Sequence, residues 1–434
     1  MIVTRRKKKK GRKAELTKDL EEETIIHSLN DEEKACDCCG CQMESIGTTV
    51  IRENVEFIPA KVVKKVHKQE SYACRNCHEN TVEATPIKSA PVPAAPIQNS
   101  LAGATVLAWL YHQKFELHLP LYRQVGEWLL YGLDVSRRTL ANWVIVSAHD
   151  WLQPIYELLY LHLMKMSILH ADETPWQIIN RSDGKPGTSE ARIWQIRTTP
   201  TENRPVIYYH SALTRSGDVA KELFKTFSGY LQTDGYQTYQ NLLDIIQVGC
   251  WVHVNRKFKD VGVNFGKAGI AIKKINAIFK KDHEFDDLSP NERLKRRQKE
   301  LKPLIEEFFD WLETFTPVPK SNLAKAVEYA KNQKATLIRV LDDGRLLLSN
   351  NCCEQLIRPL ALGRKNHLFS TSEKGATANA IAYTIIYTAR ENGLNPYKYL
   401  VYLFTHLPNT DFYRNPHLLE AFLPWHPYIQ NICS

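Results

Sequence analysis

The sequence lacks any run of about 18 consecutive apolar residues, the length that a helix needs to span a bilayer. Its basic beginning is followed by glutamate-rich sequence and not by the apolar core of a signal peptide. Both absences predict a cytoplasmic protein without a membrane partner. An acidic excess is also absent, since 57 Lys and Arg outnumber 48 Asp and Glu and give a net charge of +9. Because the basic residues recur along the whole chain, they favour a polyanionic partner such as nucleic acid.

The cysteines do not have the distribution of a disulfide framework. Six of the ten fall in two tight groups, as in zinc sites of reducing compartments: Cys36, Cys38, Cys39, Cys41, Cys74 and Cys77. The others are interpreted as ordinary free thiols: Cys250, Cys352, Cys353 and Cys433.

Two C-x-x-C pairs that bracket short β-rich segments predict a zinc ribbon. Four thiolates complete a tetrahedral Zn²⁺ site and leave no open position, so we expect this zinc to be structural. In the first group both Cys36/Cys39 and Cys38/Cys41 have the required spacing. We favour Cys36 and Cys39, together with Cys74 and Cys77, because Gly40 then follows the second ligand.

A chain of 434 residues with 43% hydrophobic content is long enough for several cores, and we predict an α+β multidomain protein. The predicted parts are a basic disordered arm (1–35), a zinc ribbon (36–83), a proline-rich linker (84–99), a helical region with a helix-turn-helix (100–165), a catalytic core (166–375) and a C-terminal helical element (376–434). The arm is either a solvated tail or a contact for phosphates.

The segment from Leu121 to Val144 has the pattern of helix, turn and helix. Gly132 allows the turn, and Ser136 is expected to cap the second helix. Arg137 and Arg138 follow in its first turn, where a recognition helix would present them to the DNA major groove. The alternative is a plain helical hairpin without a DNA-binding role.

From Ile168 the hydrophobic period changes from 3.6 to 2, which predicts β-strands. Strands are expected at 167–173, 192–196, 205–209, 229–234 and 245–251, with a helix at 217–227 before the fourth. This order indicates a mixed sheet with a three-stranded antiparallel meander, the ribonuclease-H-like arrangement. Basic helical sequence at about 255–345 is interpreted as an insertion that contacts phosphate in part.

Three acidic residues could converge on this sheet: Asp172 at a predicted strand end, Asp234 at the end of the fourth strand, and Glu354 after the insertion. Carboxylates on a rigid frame are the hard ligands with which proteins hold two Mg²⁺ (or Mn²⁺) ions for phosphodiester chemistry. Two of these residues also have a purely structural interpretation. Asp234-Gly235 is a common turn dipeptide, and Asn351 with Glu354 has the spacing of a capping box. Glu173 is interpreted as a neighbour of the site and not as a ligand.

Several ordered motifs resemble the transposases of the IS66 insertion-sequence family. They are Cys36-x-x-Cys39-Gly40 with Cys74-x-x-Cys77, Leu119-Pro-Leu-Tyr-Arg-Gln124, His170-Ala-Asp-Glu-Thr-Pro175, Gln232-Thr-Asp-Gly-Tyr236, Gly249-Cys-Trp-Val-His253 with Arg256-Lys-Phe258, Asn350-Asn-x-x-Glu354, and Arg358-Pro-Leu-Ala-x-Gly-Arg-Lys-Asn366. The resemblance implies a zinc-binding domain, a helix-turn-helix and an Asp-Asp-Glu triad of Asp172, Asp234 and Glu354.

It also implies an enzyme that cleaves and transfers DNA strands with magnesium. Its partners would be terminal inverted repeats, target DNA, further copies of the chain and accessory proteins of the same element. Candidate DNA contacts are Arg137, Arg138, Arg256, Lys257, Arg358, Arg364 and Lys365.

The chain departs from the family pattern at three points. It begins at the basic run without a preceding zipper-like segment, His367 stands where tryptophan is usual, and Cys352-Cys353 replace small residues. The first departure motivates an alternative function, a catalytically inactive, transposon-derived DNA-binding protein.

Overall fold

A computed structural model describes residues 22–28, 30, 34, 38, 41–42, 44–51, 55, 61–73, 87–239, 242, 244–262 and 265–434. The chain divides into two compact units, residues 1–61 and 62–434. The predicted zinc ligands Cys36, Cys39, Cys74 and Cys77 and most of the predicted basic arm lie outside the described residues. Among those that are described, no helix is both long and apolar enough to cross a membrane.

The second unit begins with a short antiparallel pair, β1 (Ser71–Ala73) and β2 (Ile87–Ser89). The composition predicts an extended linker at 84–99, but residues 96–99 form bends and a turn, and the segment is attached to the rest of the unit. The Ala94 N–H donates to Asn409 Oδ1 at 2.7 Å, and the Trp151 indole N–H donates to the Pro96 carbonyl.

Helices then build the region from 100 to 165. They are α1 (Ala104–Tyr111), α2 (Leu121–Leu130), α3 (Arg137–Ser147) and α4 (Gln153–Leu163), with π-helical turns at His112–Glu116 and Ala148–Leu152. The predicted cap is present, since the Thr139 N–H donates to Ser136 Oγ at 3.0 Å, and Gly132 adopts φ +83°. Helix α4 continues directly from α3 through the second π turn.

The predicted mixed sheet is confirmed. Its strands are β3 (Ile168–Asn180), β4 (Glu190–Thr198), β5 (Ile207–Ala212), β6 (Gly229–Gln232) and β7 (Ile245–Val248), with α5 (Gly217–Leu223) before β6. The order is β5-β4-β3-β6-β7. The first three strands pair antiparallel, whereas β3, β6 and β7 are parallel.

Strand β3 is longer than the sequence predicted, so Asp172 lies within it and not at its end. Pro175 does not stop the strand because it occupies a stretch that is free on one side. Parallel pairing with β6 ends at His170, and pairing with β8 (Ser370–Ser372) begins at Ile178. Proline lacks a backbone N–H, but no strand pairs with β3 on that side at this point, so no ladder hydrogen bond is lost there.

The insertion is helical, as predicted, and its helices pack around a hydrophobic core. It comprises α6 (Trp251–Lys259), α7 (Gly266–His283), α8 (Pro290–Arg296), a π turn (Arg297–Leu301), α9 (Lys302–Glu313), α10 (Asn322–Asn332) and α11 (Lys334–Leu337). Its aromatic cluster shares one hydrophobic core with Ile168 of β3 and Val248 of β7. The fully buried Arg297 from its basic run pairs with Asp282, at 2.6 Å from Nε to Oδ1, and is therefore not available to phosphate.

Four further α-helices complete the unit: α12 (Asn351–His367), α13 (Glu373–Glu391), α14 (Pro396–His406) and α15 (Pro427–Cys433). A second, larger core joins them to the sheet and to the helices of residues 100–165. In that core the Tyr156 hydroxyl donates to the Tyr209 carbonyl at 3.0 Å, and the Tyr156 ring stacks on Tyr208.

Candidate active site

The register of two parallel strands brings Asp172 and Asp234 side by side. His170 of β3 is paired with Gln232 of β6. Asp172 lies two residues further along β3, and Asp234 lies two residues beyond Gln232, the last residue of β6. The register therefore brings the two segments next to each other where β6 ends.

Asn350 fixes the start of α12 against β3. Its amide Nδ2 donates to the Ala171 carbonyl at 2.8 Å, its Oδ1 lies 3.1 Å from His170 Nδ1, and its backbone N–H donates to Cys250 Sγ at 3.2 Å. The residue is fully buried. These bonds attach the first turn of α12, and with it Glu354, to the strand that carries Asp172.

Glu354 is held by groups from α6. Arg256 Nη2 donates to Oε1 at 3.0 Å and to Oε2 at 2.9 Å, and His253 Nε2 lies 3.6 Å from Oε1. Asn350, not Asn351, is the N-cap of α12, and it makes no side-chain capping bond. The capping-box interpretation of Asn351 and Glu354 is therefore wrong, because Asn350 uses its side chain for β3 and Glu354 faces Arg256.

Asp234 has two local partners. Its Oδ1 accepts the Tyr236 N–H at 3.1 Å, which is the turn contact that an Asp-Gly dipeptide favours. Its Oδ2 lies 3.6 Å from Nη2 of Arg215, whose guanidinium stacks 3.3 Å from the centroid of the Tyr236 ring. Asp234 thus stabilises the turn through a hydrogen bond and also lies near the other carboxylates.

Glu173 lies beside this group, because Nη2 of Arg215 contacts its carboxylate and lies 3.6 Å from that of Asp234. It is buried, it forms an ion pair with Arg215, and it accepts the Tyr239 hydroxyl at 2.6 Å. Its charge is therefore balanced inside the protein, and its role is to hold Arg215 next to Asp234.

The charges of the three carboxylates act on one another. Burial raises the pKa of Asp172 to about 8, and the negative charges of Glu173, Asp234 and Glu354 contribute, while the bond from the Glu173 N–H opposes the shift. A carboxylate with such a pKa is short of positive charge. Burial also lowers the pKa of His253, against the charges of Asp234 and Glu354, which raise it.

The donor set suits a hard divalent cation, because it consists of carboxylate oxygens on a strand, a strand end and a helix. Within the described residues, however, no three His, Cys, Asp or Glu side chains lie close enough together to hold a metal ion in this arrangement. Arg256 forms an ion pair with Glu354, and Arg215 Nη2 lies 3.6 Å from Asp234 Oδ2. The oxygen chemistry of the three carboxylates thus suits a metal ion, whereas in this structure the two guanidinium groups lie next to Glu354 and Asp234.

The predicted DNA contacts differ in their availability. Arg137 and Arg138 are exposed in the first turn of α3, and Arg358 and Lys365 are exposed on α12. Three others have partners within the protein. Arg256 binds Glu354, Arg364 donates to the Pro175 carbonyl, and Lys257 lies over the Tyr329 ring at 5.5 Å.

Arg215, His253, Asn350 and Tyr239 are side chains of the site that sequence reasoning did not assign. The spacing Val252-His253-x-x-Arg256 puts His253 and Arg256 on one face of a helix and was a usable signal. Nothing local marked Arg215, because its partners Glu173 and Asp234 are distant in sequence.

Three models from one protein family match consecutive parts of the chain. A family model described as "Transposase IS66 family" matches residues 99–378, one described as "zinc-finger binding domain of transposase IS66" matches 33–78, and one described as "IS66 C-terminal element" matches 384–425. Similar proteins of Sinorhizobium fredii (strain NBRC 101917 / NGR234) include "Uncharacterized protein y4hP", 29% identical over 433 residues that cover 94% of this chain and 75% of that protein. "Uncharacterized protein y4jD" is 28% identical over 419 residues, covering 92% of this chain and 79% of that protein.

Proposed function

Because the chain belongs to the transposase IS66 family, we propose that it is a DNA transposase whose triad is Asp172, Asp234 and Glu354. It binds the ends of an insertion sequence and catalyses metal-dependent strand cleavage and transfer. The observation that carries the proposal is the pairing of His170 with Gln232, which places Asp172 of β3 near Asp234 just beyond the end of β6, with Glu354 attached to β3 through Asn350. The strand order supports a ribonuclease-H-like core.

Magnesium or manganese, bound as two ions, would supply the charge that activates a water or 3′-hydroxyl nucleophile and stabilises the leaving oxygen. The carboxylates of Asp172, Asp234 and Glu354 would hold these ions. Asp172 must lose its proton to do so, because its pKa is about 8 in the metal-free protein. Asn350 keeps Glu354 at the strand, and Glu173 keeps Arg215 beside Asp234.

The exposed basic residues would bind the DNA. Arg137 and Arg138 begin a capped helix, the usual position of groups that enter the major groove. Arg358 and Lys365 are exposed on the helix that carries Glu354, where they can contact the backbone near the reacting phosphate. Arg256, Lys257 and Arg364 would contribute only after leaving their present partners. Terminal inverted repeats, target DNA, further copies of the chain and accessory proteins of the element are the expected partners.

The zinc-finger domain at residues 33–78 suggests a structural zinc ion. Cys36, Cys39, Cys74 and Cys77 are our proposed ligands, and Cys38 with Cys41 is the alternative first pair. Both of these alternative cysteines are exposed.

The test is cleavage of DNA that carries the element's terminal repeats, in the presence of Mg²⁺ or Mn²⁺. Asp172→Asn should abolish cleavage and leave DNA affinity nearly unchanged. Asp218→Asn is the matched control, since the Asp218 side chain is 91% exposed in the first turn of α5. Cleavage by Asp172→Asn at the wild-type rate would refute the triad. Absence of cleavage by the wild-type protein would favour the inactive DNA-binding alternative.

A further inference from the structure

Arg215 lies between two carboxylates that differ in their environment. It belongs to the loop between β5 and α5. Its Nη2 contacts Glu173 of β3 and lies 3.6 Å from Oδ2 of Asp234, beyond the end of β6. The Glu173 side chain is 1% exposed, whereas that of Asp234 is 25% exposed. The guanidinium group therefore lies at the boundary between the protein interior and the open candidate active site.

Several contacts fix the position of this guanidinium group. Its central carbon, Cζ, lies 3.3 Å from the centroid of the Tyr236 ring, and the Tyr236 N–H donates to Asp234 Oδ1 at 3.1 Å. On the other side Glu173 is itself held, because its Oε2 accepts the hydroxyl of the buried Tyr239 at 2.6 Å. An arginine that is stacked on a ring and paired with a fixed carboxylate loses little further freedom when it binds a ligand. Arg215 is therefore positioned beside Asp234 before any ligand arrives.

Part of the donor capacity of Arg215 is open to solvent. A guanidinium group has five N–H donors and no acceptor. Within the described residues, Nη2 makes both ion pairs and Nε is buried without a hydrogen-bond partner. Nη1 is neither paired nor among the buried nitrogens in that part of the chain, and the side chain is 27% exposed. An anion from solvent can therefore reach the Nη1 edge of the group.

A phosphate that reacts at the triad must approach several negative charges. Those of Asp234 and Glu354 contribute to the raised pKa of Asp172. A phosphate next to these carboxylates needs positive charge at short range. Two arginines pair with carboxylates of the site, but the Arg256 side chain is 50% exposed, whereas Arg215 is 27% exposed and stacked. Arg215 is therefore the better positioned cation for a phosphate.

Neutralisation of Glu173 alone does not account for this arrangement. A buried carboxylate requires a partner, and Arg215 provides it. The same nitrogen also faces Asp234, and the ring on which the guanidinium group stacks, that of Tyr236, is 37% exposed. A group that served Glu173 only would need neither contact.

We propose that Arg215 binds a non-bridging oxygen of the reacting DNA phosphate through its Nη1 edge. Glu173, Tyr236 and Tyr239 are the residues that position it. A fixed cation at this oxygen holds the phosphate beside Asp234 and stabilises negative charge in the transition state. Arg215 is thus a further catalytic residue, an assignment that rests on the proposed function.

A double variant separates this role from the neutralisation of Glu173. Arg215→Met alone leaves the Glu173 charge buried and unpaired, so it should lower the melting temperature. Combination with Glu173→Gln removes that charge and keeps an acceptor for the Tyr239 hydroxyl. The double variant should therefore recover most of the melting temperature in thermal unfolding. It also has the same net charge as the wild type, because one positive and one negative group are lost together.

The first measurement is the affinity for terminal-repeat DNA without metal. Fluorescence anisotropy in the presence of EDTA excludes cleavage. The double variant should bind roughly tenfold more weakly than the wild type, as expected for the loss of one hydrogen bond to a charged group. The slope of log affinity against log salt should fall by about 0.9, the value for one phosphate contact. Affinity and slope equal to wild type in the double variant would show that Arg215 only neutralises Glu173, and would overturn the proposal.

Modified DNA identifies the phosphate. A methylphosphonate at the cleavage position removes the charge of that phosphate, and it should weaken binding to the wild type about tenfold. It should not weaken binding to the double variant further, because the contact is already lost. A methylphosphonate about one helical turn away is the control and should affect both proteins equally. Equal effects of the modification at the cleavage position on both proteins would overturn the assignment.

Two kinds of variant serve as matched controls. Tyr236→Phe keeps the stacked ring and should bind DNA like the wild type, whereas Tyr236→Leu removes the ring and should weaken binding severalfold. Arg345→Met removes an arginine that pairs with Asp343 at 2.7 Å and is 46% exposed, and it should leave DNA affinity unchanged. With Mg²⁺ or Mn²⁺ added, the double variant should also cleave about a hundredfold more slowly, the typical effect of one lost donor to a transition-state oxygen.

The outcome is distinguishable from that of the proposed function. A dependence of the methylphosphonate effect on Arg215 supports the phosphate contact even if Asp172→Asn cleaves DNA like the wild type. Normal DNA binding without that dependence overturns the contact and leaves the transposase proposal standing. Failure of the wild-type protein to bind terminal-repeat DNA would overturn both.

Discussion

Arg256 binds both carboxylate oxygens of Glu354 through one nitrogen, at 3.0 Å to Oε1 and 2.9 Å to Oε2. The Arg256 side chain is half exposed, whereas that of Glu354 is 21% exposed. A half-exposed cation thus covers a carboxylate that the proposed chemistry needs for metal. DNA phosphates would compete for Arg256 and free Glu354, so we expect DNA and metal to bind with positive coupling.

Replacement of Arg256 should make this coupling visible. Arg256→Met removes the competing cation and should tighten Mn²⁺ binding to the DNA-free protein roughly two- to fivefold, in keeping with the modest strength of an exposed ion pair. Isothermal titration calorimetry measures the affinity. Arg339→Met is the control, since Arg339 is similarly exposed and pairs with Asp342 instead. Equal Mn²⁺ affinities in Arg256→Met and the wild type would show that Arg256 does not restrict the site.

Loss of Asn350 should misplace Glu354. Asn350→Ala leaves the Ala171 carbonyl and His170 without their partner in a buried location, at an expected cost of about 2–4 kcal/mol. DNA cleavage should fall strongly while DNA affinity stays the same. Asn351→Ala at the next, exposed position is the control and should behave as wild type. Urea unfolding together with the cleavage assay provides the comparison, and an Asn350→Ala protein that cleaves normally would contradict the positioning role.

The stability of the protein should rise with pH in a window that Lys114 defines. Burial lowers its pKa in the folded protein to about 8, below the ordinary lysine value of 10.5. Between these values the unfolded chain binds more protons at this residue than the folded one, so stability increases from pH 8 to pH 10 and is lost as the pH falls through 8. Relative to Lys114→Met, the wild type should gain at least about 1.4 kcal/mol, the equivalent of one pKa unit. Urea unfolding of both proteins at pH 8, 9 and 10 measures the difference, and a constant difference would argue that Lys114 is solvated.

Zinc content should identify the first ligand pair. The wild-type protein is expected to contain one zinc ion per chain, and Cys36→Ser or Cys74→Ser should lose it. Cys38→Ser and Cys41→Ser serve as controls and should keep the metal. Inductively coupled plasma mass spectrometry gives the stoichiometry. The reverse pattern, with zinc lost in Cys38→Ser and kept in Cys36→Ser, would assign Cys38 and Cys41 as ligands.

The sequence predicts the sheet because the change from a 3.6 to a 2-residue period is a local signal. The three acidic residues could also be chosen from predicted strand and helix ends, although Asp172 lies inside β3. The side-chain partners of these three residues could not be predicted from the sequence. Arg215 meets Asp234 only because the chain after β5 returns beside β6, and a tertiary contact of this kind leaves no trace in local spacing.

Asn350 and Pro175 show how tertiary structure outweighs local rules. The spacing of Asn351 and Glu354 fitted a capping box, but the buried partners of Asn350 decide where α12 begins. Pro175 was expected to follow a strand end, and it is tolerated inside β3 because one side of the strand is unpaired there.

The shared core of the insertion has a consequence for the evolution and engineering of this protein. Ile168 begins the strand of Asp172, and Val248 ends the strand next to that of Asp234; both are buried by insertion helices. The Gly249 N–H donates to the Thr336 carbonyl at 3.1 Å, and the Trp251 indole donates to the Leu337 carbonyl at 3.2 Å. The insertion therefore cannot be removed as a cassette: a shortened protein would expose the apolar residues Ile168 and Val248 of its sheet, and any relative that lacks these helices must cover that surface by other means.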